Sequence, residues 1–291
     1  MQRALDWRAA HGGTGRPKGR VLASRQCWSV EDVICTSGPR DRRFEEQHRH
    51  VSIAIVAAGS FQYRSTPGSE LMTPGSILLG NAGQFFECGH DHGEGDRCIA
   101  FHYDADYFEK LAAAAGASGV EVGLRVVRLP PLRALSALVA RACAGLVDGE
   151  AVAWEELSVQ LATRTAQLVA GVAPDRSDPP QAALARVTRI ARTIEQDPGG
   201  GLALDTLARE AGLSPFHFLR TFQRVTGLTP HQYVLRTRLR QAAMRLAVER
   251  DKVIDVAFGC GFGDVSNFNR AFRMEFGVSP RVYRLHALRR S

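Results

Sequence analysis

The chain has 291 residues, 45% of them hydrophobic and 23% charged, a globular composition long enough for two cored domains. Its net charge of +7 is uneven: residues 181–291 hold 18 Lys and Arg against 9 Asp and Glu, while the remainder holds 19 against 21. No stretch approaches the roughly 20 apolar residues of a membrane span, and the N-terminus lacks the apolar run of a secretory signal. A cytoplasmic protein is expected, with its six cysteines, none in a CxxC pair, as free thiols.

Residues 1–20 are charged, Gly-rich and aperiodic, which predicts a disordered tail. From Val21 to Tyr103 short apolar runs alternate with turn residues: Val51–Ala57, Phe61–Tyr63, Glu70–Met72, Ile77–Leu79, Phe85–Cys88 and Cys98–Tyr103. Strands at this spacing predict a small antiparallel barrel or sandwich. The texture turns helical after Asp104, a candidate N-cap for a helix over 104–115. Helical periods over 130–146 and 154–169 predict two more helices, suited to covering a sheet or forming a dimer seam. Residues 21–172 thus form one expected domain, and 173–181, beginning APDRSDPP, a linker. The fold class expected is α+β, with an all-α domain over 182–291.

That basic domain opens with a helix over 182–196, stopped by Asp197-Pro198 and three glycines. Beyond it the chain repeats itself. Shifting Asp205–Tyr233 by fifty positions superimposes Phe218 on Phe268, Arg220 on Arg270, Phe222 on Phe272, Gly227 on Gly277, Pro230 on Pro280 and Tyr233 on Tyr283. Upstream the offset is 49, pairing Ala208 with Ala257 and Gly212 with Gly261, so the second copy carries one extra residue at its turn. Each copy reads as a short helix, a glycine turn and a second helix with an inward aromatic stripe, the helix-turn-helix pattern in duplicate. Pro230 starts a helix of about 18 residues, roughly 27 Å, that joins them.

The outer faces carry the residues suited to nucleic acid. In the first copy these are His217, Arg220, Thr221 and Arg224, and in the second Ser266, Asn267, Arg270 and Arg273. Arginine offers guanine a bidentate fork, and asparagine can pair with adenine. Helix N-termini and the hydroxyls of Ser214 and Thr229 suit phosphates. DTLAREAGLSPFHFLRTFQRVTGLTPHQYV, RLRQAAMRLA and DVAFGCGFGDVSNFNRAFRMEFGVSPRVYR together resemble the AraC/XylS family of bacterial transcription regulators. The resemblance covers the last hundred residues or so, with Phe268 standing where many members carry another apolar residue. It implies two recognition helices in successive major-groove faces of double-stranded DNA, with RNA polymerase recruited or blocked. Its base-facing positions fall on Phe216, His217 and Arg220, then on Val265, Ser266, Asn267 and Arg270. The N-terminal half resembles, more weakly, a cupin-like effector domain through Pro74-Gly75-Ser76-Ile77, which implies a bound small-molecule effector and a possible homodimer.

His48 and His50, then Cys88, His90 and His92, form blocks with alternating spacing, joined by Cys98 and His102. HxH on a strand puts two rings on one face, so Zn²⁺ or another divalent metal is a candidate ligand of these five residues, and Cys88 a candidate thiol sensor. A metal or redox signal is therefore an alternative to an organic effector. A metal-dependent cupin enzyme is the less favoured reading, because Ile53, Ala54 and Ile55 occupy the window where its Glu would stand. Hydrolase, nucleotide-binding and dehydrogenase fingerprints are absent from the sequence, and the expectation is a regulator without enzymatic activity.

Overall fold

The computed structural model of the chain describes residues 1–11, 14–91, 93–117, 124–146, 152–170, 179–200 and 202–288. The chain divides into two compact units, Met1–Pro130 with Ala153–Thr188, and Pro131–Val152 with Arg189–Ser291. Most of the expected linker, 173–178, lies outside the described residues.

The first unit does not begin with a disordered tail. Helix α1 (Gln2–His11) is followed by strand β1 (Pro17–Arg25), paired antiparallel with β2 (Trp28–Cys35). Arg8 donates to both oxygens of Asp41 at 2.8 and 2.7 Å, and Gly15 approaches the Ser37 backbone too closely for a side chain. These ties are between distant residues and leave no periodic trace. β1 is an edge strand with an exposed or half-buried face throughout, so hydrophobic alternation could not reveal it.

The remaining strands are β3 (Phe44–Gln47), β4 (Val51–Gly59), β5 (Phe61–Ser65), β6 (Gly68–Met72), β7 (Ile77–Gly80), β8 (Phe85–Gly89), β9 (Asp96–Tyr103) and β10 (Arg128–Leu129). They form two antiparallel sheets, β1-β2-β9-β4-β7-β10 and β3-β8-β5-β6. Among the described residues no ladder closes either sheet, so the expected barrel is an open two-sheet arrangement. Between the sheets Ala54, Val56, Leu78, Cys98 and Ala100 meet Phe61, Tyr63, Met72 and Cys88. On the other face of the first sheet, Phe101 packs on Trp154 of α4 (Trp154–Ala170) and Tyr103 on Phe108 of α2 (Ala105–Ala114). Burial on both faces explains why β4 reads as the unbroken apolar run VSIAIVA. Asp104 does occupy the N-cap position of α2, but its side chain makes no cap bond and lies 3.4 Å from His50 Nδ1.

The second unit is helical. It comprises α3 (Arg133–Gly145), the C-terminal half of α5 (Gln181–Gln196), α6 (Leu204–Glu210), α7 (Pro215–Thr226), α8 (Pro230–Val248), α9 (Val253–Gly259), α10 (Val265–Phe276) and α11 (Pro280–Leu288). Residues 130–146, read from sequence with the β-rich domain, form α3, which packs against α8 and α10. Glu195 at the end of α5 accepts from Arg240 at 2.8 and 2.6 Å and from Thr237 at 2.9 Å, clamping α5 to the long α8.

The turns of the two repeats are superimposable bond for bond. Gly212 and Gly261 both take positive φ, 65° and 85°. The next residue closes each turn, Leu213 N–H donating to Ala208 O at 3.0 Å and Phe262 N–H to Ala257 O at 3.1 Å. The extra residue of the second copy is therefore Gly263, inserted between Phe262 and the helix cap Asp264.

Two stability predictions follow from these contacts. A side chain at Gly212 would meet nothing within 4 Å, whereas one at Gly261 would stand 2.5 Å from Gly199 Cα. Gly212→Ala should cost only the left-handed backbone penalty, about 1–2 kcal/mol, and Gly261→Ala clearly more in chemical denaturation; equal losses would contradict the packing of Gly261 on Gly199. In the first unit, buried Asp32 accepts from Arg97 at 2.8 and 2.9 Å and from Arg20 at 3.2 Å. Burial pushes the Asp32 carboxyl up, but the two guanidiniums outweigh it and hold it below the usual carboxylate range. Its contribution is thus present above the unfolded-state value and lost as pH falls through the lower folded-state value. Arg97→Met should destabilise by on the order of 3 kcal/mol at neutral pH and flatten the acid limb of the stability curve, measured by urea denaturation across pH.

Candidate nucleic-acid interface

The two recognition-type helices are built by the same local rules. In α7, Ser214 Oγ accepts from the His217 N–H at 3.4 Å, Pro215 fills the first turn, and Gly227 ends the helix at φ 76°. In α10, Asp264 accepts from the Ser266 and Asn267 N–H groups at 3.0 Å each, and Gly277 ends the helix at φ 78°. The following helices restart on Thr229-Pro230, with a reciprocal capping box to Gln232, and on Ser279-Pro280.

Their inner faces are aromatic. Phe218 and Phe222 stand 5.4 Å apart, as Phe268 and Phe272 stand 5.5 Å apart, and all four are fully buried. Tyr233 meets Phe222 edge-on at 5.4 Å and 86°, and Tyr283 meets Phe272 at 5.4 Å and 81°. Each recognition helix is thus pinned by one stripe, which forces the opposite stripe into solvent.

On that outer stripe Ser214, Phe216, His217, Arg220 and Arg224 are exposed, and Thr221 is half-buried. In the second copy Ser266, Asn267, Arg270 and Arg273 are exposed, and Val265 is half-buried. Arg220 lies over the Phe216 ring at 5.7 Å, while Arg270 donates to Asn267 Oδ1 at 2.7 Å. The second contact occupies the Asn267 carbonyl oxygen, so the pair is left with donors to offer. Donor pairs suit the two acceptors on the guanine edge better than adenine, which needs an acceptor beside the donor.

Sequence reading passed over Asp264, a carboxylate at the rim of this face. The N–H groups of Ser266 and Asn267 hold its carboxyl below the ordinary range, with Arg270 adding to the effect, so it stays ionised at neutral pH. The first copy has neutral Ser214 at the equivalent place. The fifty-residue offset carries this difference, which makes the two halves inequivalent.

The first unit has a half-open cavity of about 830 Å³ between its two sheets, walled by residues that include His48, His102, Phe86, Cys35, Cys88 and Cys98. The five expected metal residues are not one group there. His48 and His50 lie in the connection between β3 and β4, where strand alternation does not apply. His48 Nε2 shares a 2.8 Å hydrogen bond with the Tyr63 hydroxyl, and its ring stacks on Phe86 at 4.3 Å. Burial, and then His102, lower its pKa to about 4. His50 is half-exposed beside Asp104, and His92 lies outside the described residues. Cys88 is buried, and burial followed by Asp96 pushes its thiol well up. Only His90 joins a close group: among the described residues, Cys35, His90 and Asp96 place their ligand atoms within 4.8 Å of one another. Cys35 and Asp96 are direct cross-strand partners of β2 and β9, a pairing 61 positions apart that no local motif signals.

Residues 207–286 match the family model described as a helix-turn-helix domain. The HTH-type transcriptional regulator Rv1931c of Mycobacterium tuberculosis is 38% identical over 86 residues, 30% of this chain and 33% of that protein. The chain thus spans about a third of the length of that relative. The HTH-type transcriptional activator AarP of Providencia stuartii is 31% identical over 99 residues, 34% of this chain and 73% of AarP. Among solved structures, the DNA-binding domain of AdpA, the global transcriptional factor, in complex with a target DNA, is 28% identical with a TM-score of 0.35, covering 36% of this chain and 95% of that one. A duplicated helix-turn-helix, matched in sequence over most of a short regulator of the same kind, identifies the chain as belonging to the AraC/XylS family of transcription regulators.

Proposed function

We propose that the protein is a sequence-specific DNA-binding transcription regulator whose two recognition helices, α7 and α10, enter successive major-groove faces. The observation that carries this is the duplicated geometry: side-chain caps at equivalent positions, equal aromatic anchors and two outward stripes bearing Arg220 and Arg270 at equivalent positions. The α8 helix between them has 19 residues, about 28 Å of rod, a length suited to sites near one turn of B-DNA. The surplus of 18 basic over 9 acidic residues in 181–291 supplies the sequence-independent attraction to phosphates.

The cavity of the first unit supports an effector-responsive regulator, since a half-open pocket of about 830 Å³ is of ligand size. Contact with RNA polymerase, association as a homodimer, a cytoplasmic location and a role without catalysis complete the reading. A metal signal is the second reading, favoured by the Cys35, His90 and Asp96 group. Oxidant sensing at Cys88 is less favoured, because a buried, protonated thiol is a poor nucleophile.

The two copies should contribute unequally to binding. Arg220→Ala and Arg270→Ala should each weaken specific binding by about 1–3 kcal/mol and relax preference at one base position. The effect of Arg270→Ala should fall on a guanine. Electrophoretic mobility shift against single-base operator variants checks both, and wild-type affinity in both variants would remove the groove assignment. Asp264→Ser should strengthen binding to random duplex, with a steeper salt dependence, because a fixed negative charge leaves the α10 N-terminus. An unchanged salt slope would place that terminus away from phosphate.

A further inference from the structure

Beside the cavity, the first unit concentrates buried groups able to bind a metal ion. Cys35, His90 and Asp96 are each at most 5% exposed, and their ligand atoms lie within 4.8 Å of one another. Asp96 accepts from the Cys98 thiol at 3.3 Å, and its other oxygen shares a 2.6 Å hydrogen bond with His90 Nε2. The Cys35 thiol donates to Ser37 Oγ at 3.3 Å. His90 Nδ1 is enclosed with no hydrogen-bond partner among the described residues. Burying a ring nitrogen without a partner is costly, and a bound cation is one of few occupants that would satisfy it.

We infer that Cys35, His90 and Asp96, with Cys98 beside Asp96, form a binding site for a divalent cation of the zinc class in the wall of the interior cavity. The site rests on the reading of that cavity as the effector site and names the chemistry it takes. The donor set of thiolate, imidazole and carboxylate is the borderline-soft set that zinc, cobalt and cadmium prefer, and that magnesium and calcium do not. Tetrahedral zinc with bonds of about 2.0–2.3 Å places its donors about 3.3–3.8 Å apart, so the His90–Asp96 pair at 2.6 Å must open, and any wider pair of the group close, around the ion. The positions are rigidly supplied: Cys35 and Asp96 face each other across the β2–β9 ladder, and His90 follows the end of β8. Cys35, Asp96 and Cys98 also line the cavity, which leaves room for an exogenous ligand or water on the ion.

Entry of the ion balances simply. The coordinating thiol loses one proton to solvent, while His90 binds through an unprotonated ring nitrogen and Asp96 through a carboxylate oxygen. With the Cys35 thiolate and the Asp96 carboxylate bound, a dication leaves the three-residue group neutral. Burial and the Asp96 charge keep Cys35 protonated in the empty site, with its pKa raised to about 11, which is the opposite of an activated nucleophile. The same holds in direction for Cys98, through burial and then Asp96.

The test uses the full chain, stripped with a chelator under reducing conditions and titrated with Co²⁺ alone. One equivalent per chain should bind, with visible d–d bands and a thiolate-to-cobalt charge-transfer band that Zn²⁺ displaces. Cys35→Ser and His90→Gln should each weaken Co²⁺ binding at least tenfold, while Cys27→Ser, on the half-exposed β1–β2 turn, should behave as wild type. Absence of the charge-transfer band in wild type, or its persistence in the Cys35→Ser/His90→Gln double variant, would overturn the site. A second measurement guards against misfolded variants: Zn²⁺ should protect Cys35 and Cys98 of wild type from alkylation mapped by mass spectrometry, and equal labelling with and without Zn²⁺ would also overturn it. Operator affinity on the same wild-type samples separates the two readings. Metal bound with unchanged affinity keeps the site and removes its regulatory role, whereas no metal bound, but an affinity shifted by an organic ligand, keeps the effector reading and removes the site.

Discussion

The helical unit depends on one contact made twice, an aromatic ring at the centre of each recognition helix held edge-on by the tyrosine of the next helix. Phe222 with Tyr233 and Phe272 with Tyr283 share distance and geometry to within a tenth of an ångström and about five degrees. A single aromatic anchor of this kind fixes the rotation of a short helix about its own axis, because its bulk leaves no alternative face that could be buried at equal gain. Rotation in turn decides which residues water, or a DNA groove, will meet. Arg220 and Arg270 are outward because the rings are inward. The glycine turns and caps set where each helix begins, and the clamp of Glu195 on Arg240 and Thr237 ties α5 to the connecting rod.

Much of this was legible in the sequence, and the reason is the repeat. An identity at fixed spacing carries its own control, so Phe218, Phe222, Gly227, Pro230 and their partners could be placed without long-range information. The same offset located the extra residue at the turn, which the backbone bonds assign to Gly263. The offset also carries differences between the copies. Ser214 against Asp264 adds a negative charge to the second reading head, while the exposed arginine of the last turn only shifts by one place, from Arg224 in the first copy to Arg273 in the second.

The N-terminal unit was less legible, for a physical reason. Strands buried on one or two faces announce themselves, so β4 to β9 follow the apolar runs closely, whereas β1 and α1 are held by Arg8–Asp41 and by strand pairing, which leave no local pattern. Residues 130–146 showed a helical period but not which partner that face meets; α3 packs on α8 and α10 rather than on a sheet. The ligand-like cluster shows the same limit. Histidine spacing drew attention to His48 and His50, which the fold uses against Tyr63 and near Asp104, while the close group needs Cys35 from a strand 55 positions before His90. Cross-strand register brought those residues together, and register is a tertiary property.

The central claim is that two anchored helices read DNA from one face of the duplex. Hydroxyl-radical footprinting of the full chain on an operator selected from random duplex tests it most directly. The expected result is two protected stretches about one helical turn, ~10 bp, apart on the same face, with Arg220→Ala and Arg270→Ala each weakening a different stretch. One stretch alone, or loss of the same stretch in both variants, would contradict it.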